Sequence, residues 1–218
     1  MSFKSQNRQF SALDQFLINI DTGVRTLFGA PEVTERTNPA QSQSDGELSE
    51  AELKLAGRLM RINHAGEVSA QGLYQGQALT AKLPEVRTQM QRAAQEENDH
   101  LAWCESRCHE LGTHVSVLNP LWYLGSLTIG AIAGKAGDKW SLGFVAETEH
   151  QVVRHLDQHL QQIAPQDQKS RAILEQMKID EQHHATLAEG AGSANLPAAV
   201  KMAMKITSKV MTGGAYYL

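Results

Sequence analysis

Apolar residues recur along almost the whole chain at spacings of three and four, and no alternating apolar–polar run of strand length interrupts them. That periodicity predicts helices throughout. Over residues 11–28, Leu13, Phe16, Leu17, Ile20, Val24, Leu27 and Phe28 fall at helical spacing, and Gly29 and Pro31 end the run. Residues 34–46 are a polar linker. Ser49-Glu50-Ala51-Glu52 has the form of a capping box and opens a long helix to about residue 81. Pro84 suits the first turn of a second long helix, which Gly112 stops. Asp138 is placed to cap a third over 138–163, before Pro165, and a fourth covers 167–191. Asn195-Leu196-Pro197 opens a last helix. The expected organisation is an N-terminal amphipathic helix and linker over 1–46, then a helical domain over 47–218.

Two stretches depart from the amphipathic rule. Residues 115–134 carry no charge, but Asn119-Pro120 starts a helix inside them and leaves 14 residues, 121–134, before Lys135. A bilayer span needs about 20 apolar residues, so this segment is read as buried or interfacial. Trp122 and Tyr123 at its head are residue types that favour the membrane–water boundary. The last helix carries Lys201, Lys205 and Lys209 as a basic stripe, with Val200, Met204, Ile206 and Val210 elsewhere around it. Such a helix suits either an anionic membrane surface or a solvated lysine face over a core.

Composition narrows the class. The 218 residues are 41% hydrophobic and 6% aromatic, with a formal net charge of −4. That balance suits an all-α domain with a real core and gives no sign of nucleic-acid binding. Cys104 and Cys108 sit one helical turn apart, a poor disulfide geometry and too few thiols for zinc, so both read as core residues. The N-terminus lacks an apolar signal segment, which predicts a protein on the cytoplasmic side.

Candidate chemistry begins with Glu-x-x-His, which puts a carboxylate and an imidazole on one helix face. The chain has three copies, at Glu97/His100, Glu147/His150 and Glu181/His184. With 16 Glu and 9 His, chance supplies about one. Ligands of a metal held inside a bundle should lie on the apolar stripe of their helix. Glu97 and His100 follow the stripe of Met90, Ala93, Leu101, Cys104 and Cys108; His184 joins Leu174, Met177, Ala185 and Ala188. In the third copy it is Glu149 that falls in the row of Leu142, Val145, Val152 and Leu156, while Glu147 and His150 rotate away. Glu67, between Met60 and Tyr74, supplies the matching carboxylate of the first long helix.

The pattern is then two-fold. Glu67 precedes Glu97-x-x-His100 by 30 residues, and Glu149 precedes Glu181-x-x-His184 by 32. Four carboxylates and two imidazoles are the ligand set of di-iron and di-manganese bundles. Asp180 is a candidate partner orienting a ligand imidazole. Glu96, about 100° off the stripe, is expected to be dispensable. Tyr74 is a candidate pocket-lining residue, and His64, His150, His155 and His159 read as surface or packing histidines.

The Asn63-His64-Ala65-Gly66-Glu67 run, Glu97-x-x-His100, Glu149, the Asp180-Glu181-Gln182-His183-His184 run and Asn119-Pro120-Leu121-Trp122 together resemble the demethoxyubiquinone hydroxylases. The resemblance implies a ferritin-like four-helix bundle with extra interfacial helices. It also implies an oxygen-dependent di-iron monooxygenase, peripheral on the cytoplasmic face of the cell membrane, acting on the ring of 2-polyprenyl-3-methyl-6-methoxy-1,4-benzoquinone. The ligands would be Glu67, Glu97, His100, Glu149, Glu181 and His184 around two iron ions. The resemblance implies NADH as the usual reductant in assays, yet no Gly-x-Gly-x-x-Gly follows a strand here. Either NADH binds in another way or electrons arrive through the quinone itself. Other ubiquinone-biosynthesis proteins are expected partners, and Trp122, Tyr123, Lys201, Lys205 and Lys209 are candidate membrane or substrate contacts. Two competing readings are a ferritin-like iron oxidase or manganese catalase on the same ligands, and a non-enzymatic lipid-quinone carrier.

Overall fold

The computed structural model describes residues 12–29 and 36–218. Seven helices follow one another among them: α1 (Ala12–Phe28), α2 (Glu50–Thr80), α3 (Pro84–Glu110), α4 (Asn119–Ala136), α5 (Asp138–Gln162), α6 (Gln168–Gly190) and α7 (Ala198–Tyr217). A 3-10 turn, Pro39–Ser42, precedes α2. Ser11 and residues 34–35 of the polar stretch lie outside the described residues, as do the side chains of Leu13 and Phe16.

The helix ends follow from local chemistry. Ser49 N donates to Glu52 Oε2 at 2.8 Å, and Glu52 N donates to Ser49 Oγ at 3.4 Å, so two otherwise unpaired donors of α2 are satisfied. Asp167 accepts from Ser170 N at the start of α6. Asp138 does something other than cap its own helix. Its two carboxylate oxygens accept from Lys82 N and Leu83 N, both at 2.9 Å, which ties the start of α5 to the start of α3. Gly137, at φ 122°, makes the turn that lets α5 begin directly after α4.

Helices α2, α3, α5 and α6 form the bundle. α2 packs along α3, α5 along α6, and α3 also meets α6. α2 and α5 reach each other through side chains, Tyr74 to Glu149 and His159 to Asn63. The main core joins Met60, Trp103, Leu156, Ile173, Leu174 and Met177. Cys104 and Cys108 are buried in it, with Cys104 Sγ 3.7 Å from Met177 Sδ.

α4 lies outside the four, pressed onto α2 through glycine. A side chain at Gly130 would collide with the Leu73 carbonyl, and one at Gly76 with the Leu127 carbonyl. α2 is therefore covered by α3, α4 and α7, which explains why its apolar stripe is broad and hard to read as a single face. α1 rests on α2 and α4.

The polar stretch before α2 is not a free tether. Arg107, itself buried, donates to Asp45 and Asp167 at 2.7 Å each; Lys169 N donates to Asp45 Oδ1, and Gly46 N to the Gln166 carbonyl. These bonds strap Asp45 and Gly46 to α3 and the start of α6, and the 3-10 turn packs on α6 as well.

Gly130→Ala is expected to lower stability by about 1–3 kcal/mol through overpacking at the α2–α4 contact. Gly213→Ala, where nothing lies within 4 Å, should be neutral or gain up to about 1 kcal/mol. Urea denaturation of both variants checks the pair; equal effects would contradict the glycine-packed contact.

Candidate metal centre

Each bundle helix sends its predicted ligand residues to one point. α2 brings Glu67, α3 Glu97 and His100, α5 Glu149, α6 Glu181 and His184, and none is more than 5% exposed. Six ionisable groups buried together must neutralise one another or bind cations.

The distances show how they meet. His100 Nδ1 lies 2.9 Å from Glu97 Oε2, 3.2 Å from Glu181 Oε1 and 3.7 Å from Glu67 Oε2. His184 Nδ1 lies 3.2 Å from Glu181 Oε2 and 3.4 Å from Glu97 Oε1. Glu97 and Glu181 thus sit between the two imidazoles, each offering one oxygen to either side. Glu67, Glu97, His100 and Glu181 present donor atoms all within 4.8 Å of one another. In the other half, Glu149 Oε1 accepts the Tyr74 hydroxyl, and Tyr74 meets His184 edge-on with ring centroids 6.5 Å apart.

Outside this ring is a second layer with the same two-fold pattern. His100 Nε2 is 2.9 Å from Asp180 Oδ2, and His184 Nε2 is 2.7 Å from Glu96 Oε2. A carboxylate at Nε2 directs Nδ1 inward, where its lone pair becomes available once the imidazolium proton is displaced. Glu96, expected on the wet face, therefore meets a cluster imidazole. It lies about 100° from the core stripe of α3, but α3 and α6 are neighbours, so that direction is their seam and not solvent. The sequence carried the signal: an acidic residue precedes both inward Glu-x-x-His pairs, Glu96 before Glu97 and Asp180 before Glu181.

Without cations the cluster is balanced by protons. Burial pushes Glu67 and Glu149 well above the usual carboxylate range, helped by the Glu97 charge beside the first and Glu181 beside the second. Burial opposes charging His100 and His184, but the carboxylates outweigh it. His100 is held well above the ordinary imidazole range, and His184 is raised to about 12. For Glu97 and Glu181 burial acts upward, yet the two imidazoles prevail and hold both below the ordinary range. Two neutral acids and two ion pairs result. The donor set fits two divalent ions: four carboxylates match their charge, and Glu97 Oε1 is a buried acceptor with no hydrogen-bond partner.

The remaining sequence candidates separate cleanly. Glu147 turns outward to Lys201 and Arg154, and His150 pairs with Glu189 at 2.8 Å, so the third Glu-x-x-His stands apart from the cluster. His64 and His159 are buried, and burial pushes them down to about 4 and about 3. Tyr123 is also buried, its hydroxyl on Gln75, so it faces α2 and not a membrane. Lys201 is paired at 3.1 Å with Glu147, whereas Lys205 and Lys209 are exposed.

A cavity of about 550 Å³ is lined by Glu67, Glu149 and Glu181 together with residues of α2, α4, α5 and α7. Its walls are mainly apolar, among them Leu73, Trp122, Ile129, Phe144, Met204 and Met211. His155, whose ring is 4.0 Å from that of His159, also lines it.

Fold and site define a ferritin-like helical bundle with a carboxylate–imidazole centre at the end of an apolar pocket. The fold is shared with the dodecameric bacterioferritin-related protein of Bacteroides fragilis, a thioferritin, at a TM-score of 0.54 and 16% identity over 63% of this chain and 84% of that one. The family model described as ubiquinone biosynthesis protein COQ7 matches residues 54–215. The chain is 59% identical to the 3-demethoxyubiquinol 3-hydroxylase of Nitrosococcus oceani, covering 98% of this chain and all of that protein. It is 55% identical to the enzyme of the same name from Pseudomonas fluorescens, covering 96% of this chain and 97% of that one. The chain belongs to the ubiquinone biosynthesis protein COQ7 family.

The proton balance has a testable sign. Raised groups stabilise the fold while protonated, and that contribution is lost as pH climbs; the depressed Glu97 and Glu181 act only in the acid range. Metal-free protein should therefore melt at progressively lower temperature between about pH 6.5 and 9. Metal binding should release protons and tighten over the same window. Thermal melts at stepped pH, with and without metal, test both; a metal-free melting temperature that rises across the window would contradict the assignment.

Proposed function

We propose that this chain is an oxygen-dependent di-iron monooxygenase that hydroxylates the ring of a polyprenyl demethoxyubiquinol in ubiquinone biosynthesis. The observation that carries the reading is a buried cluster of four carboxylates and two imidazoles, three of whose carboxylates line an apolar cavity, in a chain 59% identical to a named hydroxylase. Glu67, Glu97, His100 and Glu181 would hold one ion, and Glu149 and His184, sharing Glu97 and Glu181, the second. When bound, the iron pair supplies two electrons to oxygen and the oxidising power for ring hydroxylation.

The chain's own groups do the rest. Asp180 and Glu96 fix the imidazoles in the tautomer that presents Nδ1. The apolar walls exclude water around the ring, and Tyr74 holds a proton at its hydroxyl against Glu149, a phenol kept neutral by burial and the surrounding carboxylates. The pocket volume falls in the range of small-ligand sites. A polyprenyl tail exceeds it and would leave between α4 and α7.

That exit leads to apolar surface. Leu121, Leu124 and Ile132 of α4 and Met202, Ile206 and Val210 of α7 are exposed, as are Ile20, Val24 and Phe28 of α1. None of the described helices is long and apolar enough to cross a membrane. These helices, with Lys205 and Lys209, suit docking on the cytoplasmic face of the cell membrane, where the substrate resides. NADH is the proposed electron source, and other ubiquinone-biosynthesis proteins are proposed partners.

Anaerobic loading with iron(II), then addition of oxygen and a demethoxyubiquinol, should give product heavier by one oxygen atom. Glu181→Ala should still bind quinol but form no product. Bulk iron oxidation without quinol turnover would contradict the reading in favour of an iron oxidase. Glu96→Ala should weaken metal binding about 10–100-fold, as loss of a ligand-orienting carboxylate does; unchanged affinity by equilibrium titration would return Glu96 to the bystander role.

A further inference from the structure

The two halves of the centre match in their ligands but not in what stands behind them. Behind His184, Glu96 is about a quarter exposed and is paired with Arg92, four residues earlier on its own helix, whose side chain is 46% exposed. An ion pair that reaches solvent is weakened by screening. Behind His100 the support comes from the strap that precedes α2. Arg36 donates from Nη1 to Asp180 Oδ2 at 2.6 Å and from Nε to Asp99 Oδ2 at 2.9 Å. One guanidinium thus joins α6 to α3 beside the imidazole, and the Asp180 oxygen it holds is the one that takes His100 Nε2. Gln176 fixes the other oxygen of Asp180 at 3.0 Å.

A third contact closes the support. The Arg36 guanidinium lies 5.0 Å from the centroid of the Trp103 ring, and Trp103 is buried with its ring 5.4 Å from that of His100. His100 is therefore backed on its edge by Asp180 and on its side by Trp103, and Arg36 touches both. The asymmetry extends inward: the donor atoms gathered within 4.8 Å of one another are those of His100 and Glu67 with the shared Glu97 and Glu181, whereas Glu149 is turned to Tyr74. Arg36 lies ahead of residue 54, where the match to the family model begins.

We propose that Arg36 is a positioning residue for His100, and that it makes the His100 half the tighter and first-filled of two unequal metal positions. The inference rests on the metal-site reading above. A guanidinium is needed because its planar fork reaches two carboxylates on different helices at once; an ammonium delivers a single point charge.

The test is anaerobic titration of the metal-free full chain with cobalt(II) against a competing chelator, following the ligand-field absorption. Wild type should bind two ions in two affinity classes. Arg36→Gln should weaken the tight class about 10–100-fold and leave the weak class in place. Arg36→Lys should fall between, and Arg92→Gln should leave the tight class at its wild-type affinity. Asp99→Asn, which frees one arm and keeps Asp180 on His100, should shift the tight class in the same direction by less. Circular dichroism and melting of the metal-free variants separate positioning from folding. The proposal is overturned if folded Arg36→Gln keeps both classes unchanged, or if it weakens both equally. A wild type that takes up no cobalt overturns the metal-site reading itself, and this inference with it.

Discussion

Burying four carboxylates and two imidazoles at the centre of one bundle is the constraint on which the rest of this structure depends. Desolvation works against every charge in the cluster, so each must have a counter-charge within a few ångströms. Helical geometry makes that possible. Glu-x-x-His on α3 and again on α6 delivers two donors from each helix, and α2 and α5 add one carboxylate apiece. The residues around them are then fixed in turn: Asp180 and Glu96 by the outward imidazole nitrogens, Tyr74 by Glu149, and Arg36 by Asp180.

The same constraint shapes the packing around the bundle. An apolar cavity can end on such a cluster only if one side of the bundle is held open and then roofed. α2 and α5 are bridged by side chains near the site, and α4 and α7 form the roof. α4 can lie close along α2 because Gly72, Gly76 and Gly130 leave room for backbone against backbone. Its uncharged sequence reflects this double duty, with one side against α2 and another exposed beside the cavity mouth. Site, pocket and exposed apolar surface are therefore consecutive parts of one arrangement.

Much of this was legible in the sequence, and the reasons differ by element. The bundle helices were readable because caps and glycines mark their ends and their stripes repeat near 3.6. The residues of the cluster were readable because the spacing occurs twice, and because Glu149 falls on a stripe that Glu147 and His150 miss. The Glu96 contact with His184 was not legible because a single helix wheel divides residues into core and solvent, while in a bundle the flank of α3 is a seam with α6. Tyr123 was assigned to the membrane boundary on residue type, but the head of α4 turns that ring toward Gln75. Asp138 looked like a cap for its own helix and instead secures the start of α3. Arg36 had no readable signal, since it lies in a polar stretch without periodicity and reaches residues 63 and 144 positions away.

The central claim is that these six side chains hold two iron ions as one coupled unit. Mössbauer spectroscopy of protein loaded anaerobically with iron(II) and then exposed to oxygen reads that directly. The account predicts two irons per chain in equal proportions, giving the signature of an exchange-coupled ferric pair. Isolated mononuclear ferric ion, or iron that fails to remain with the protein, would contradict it.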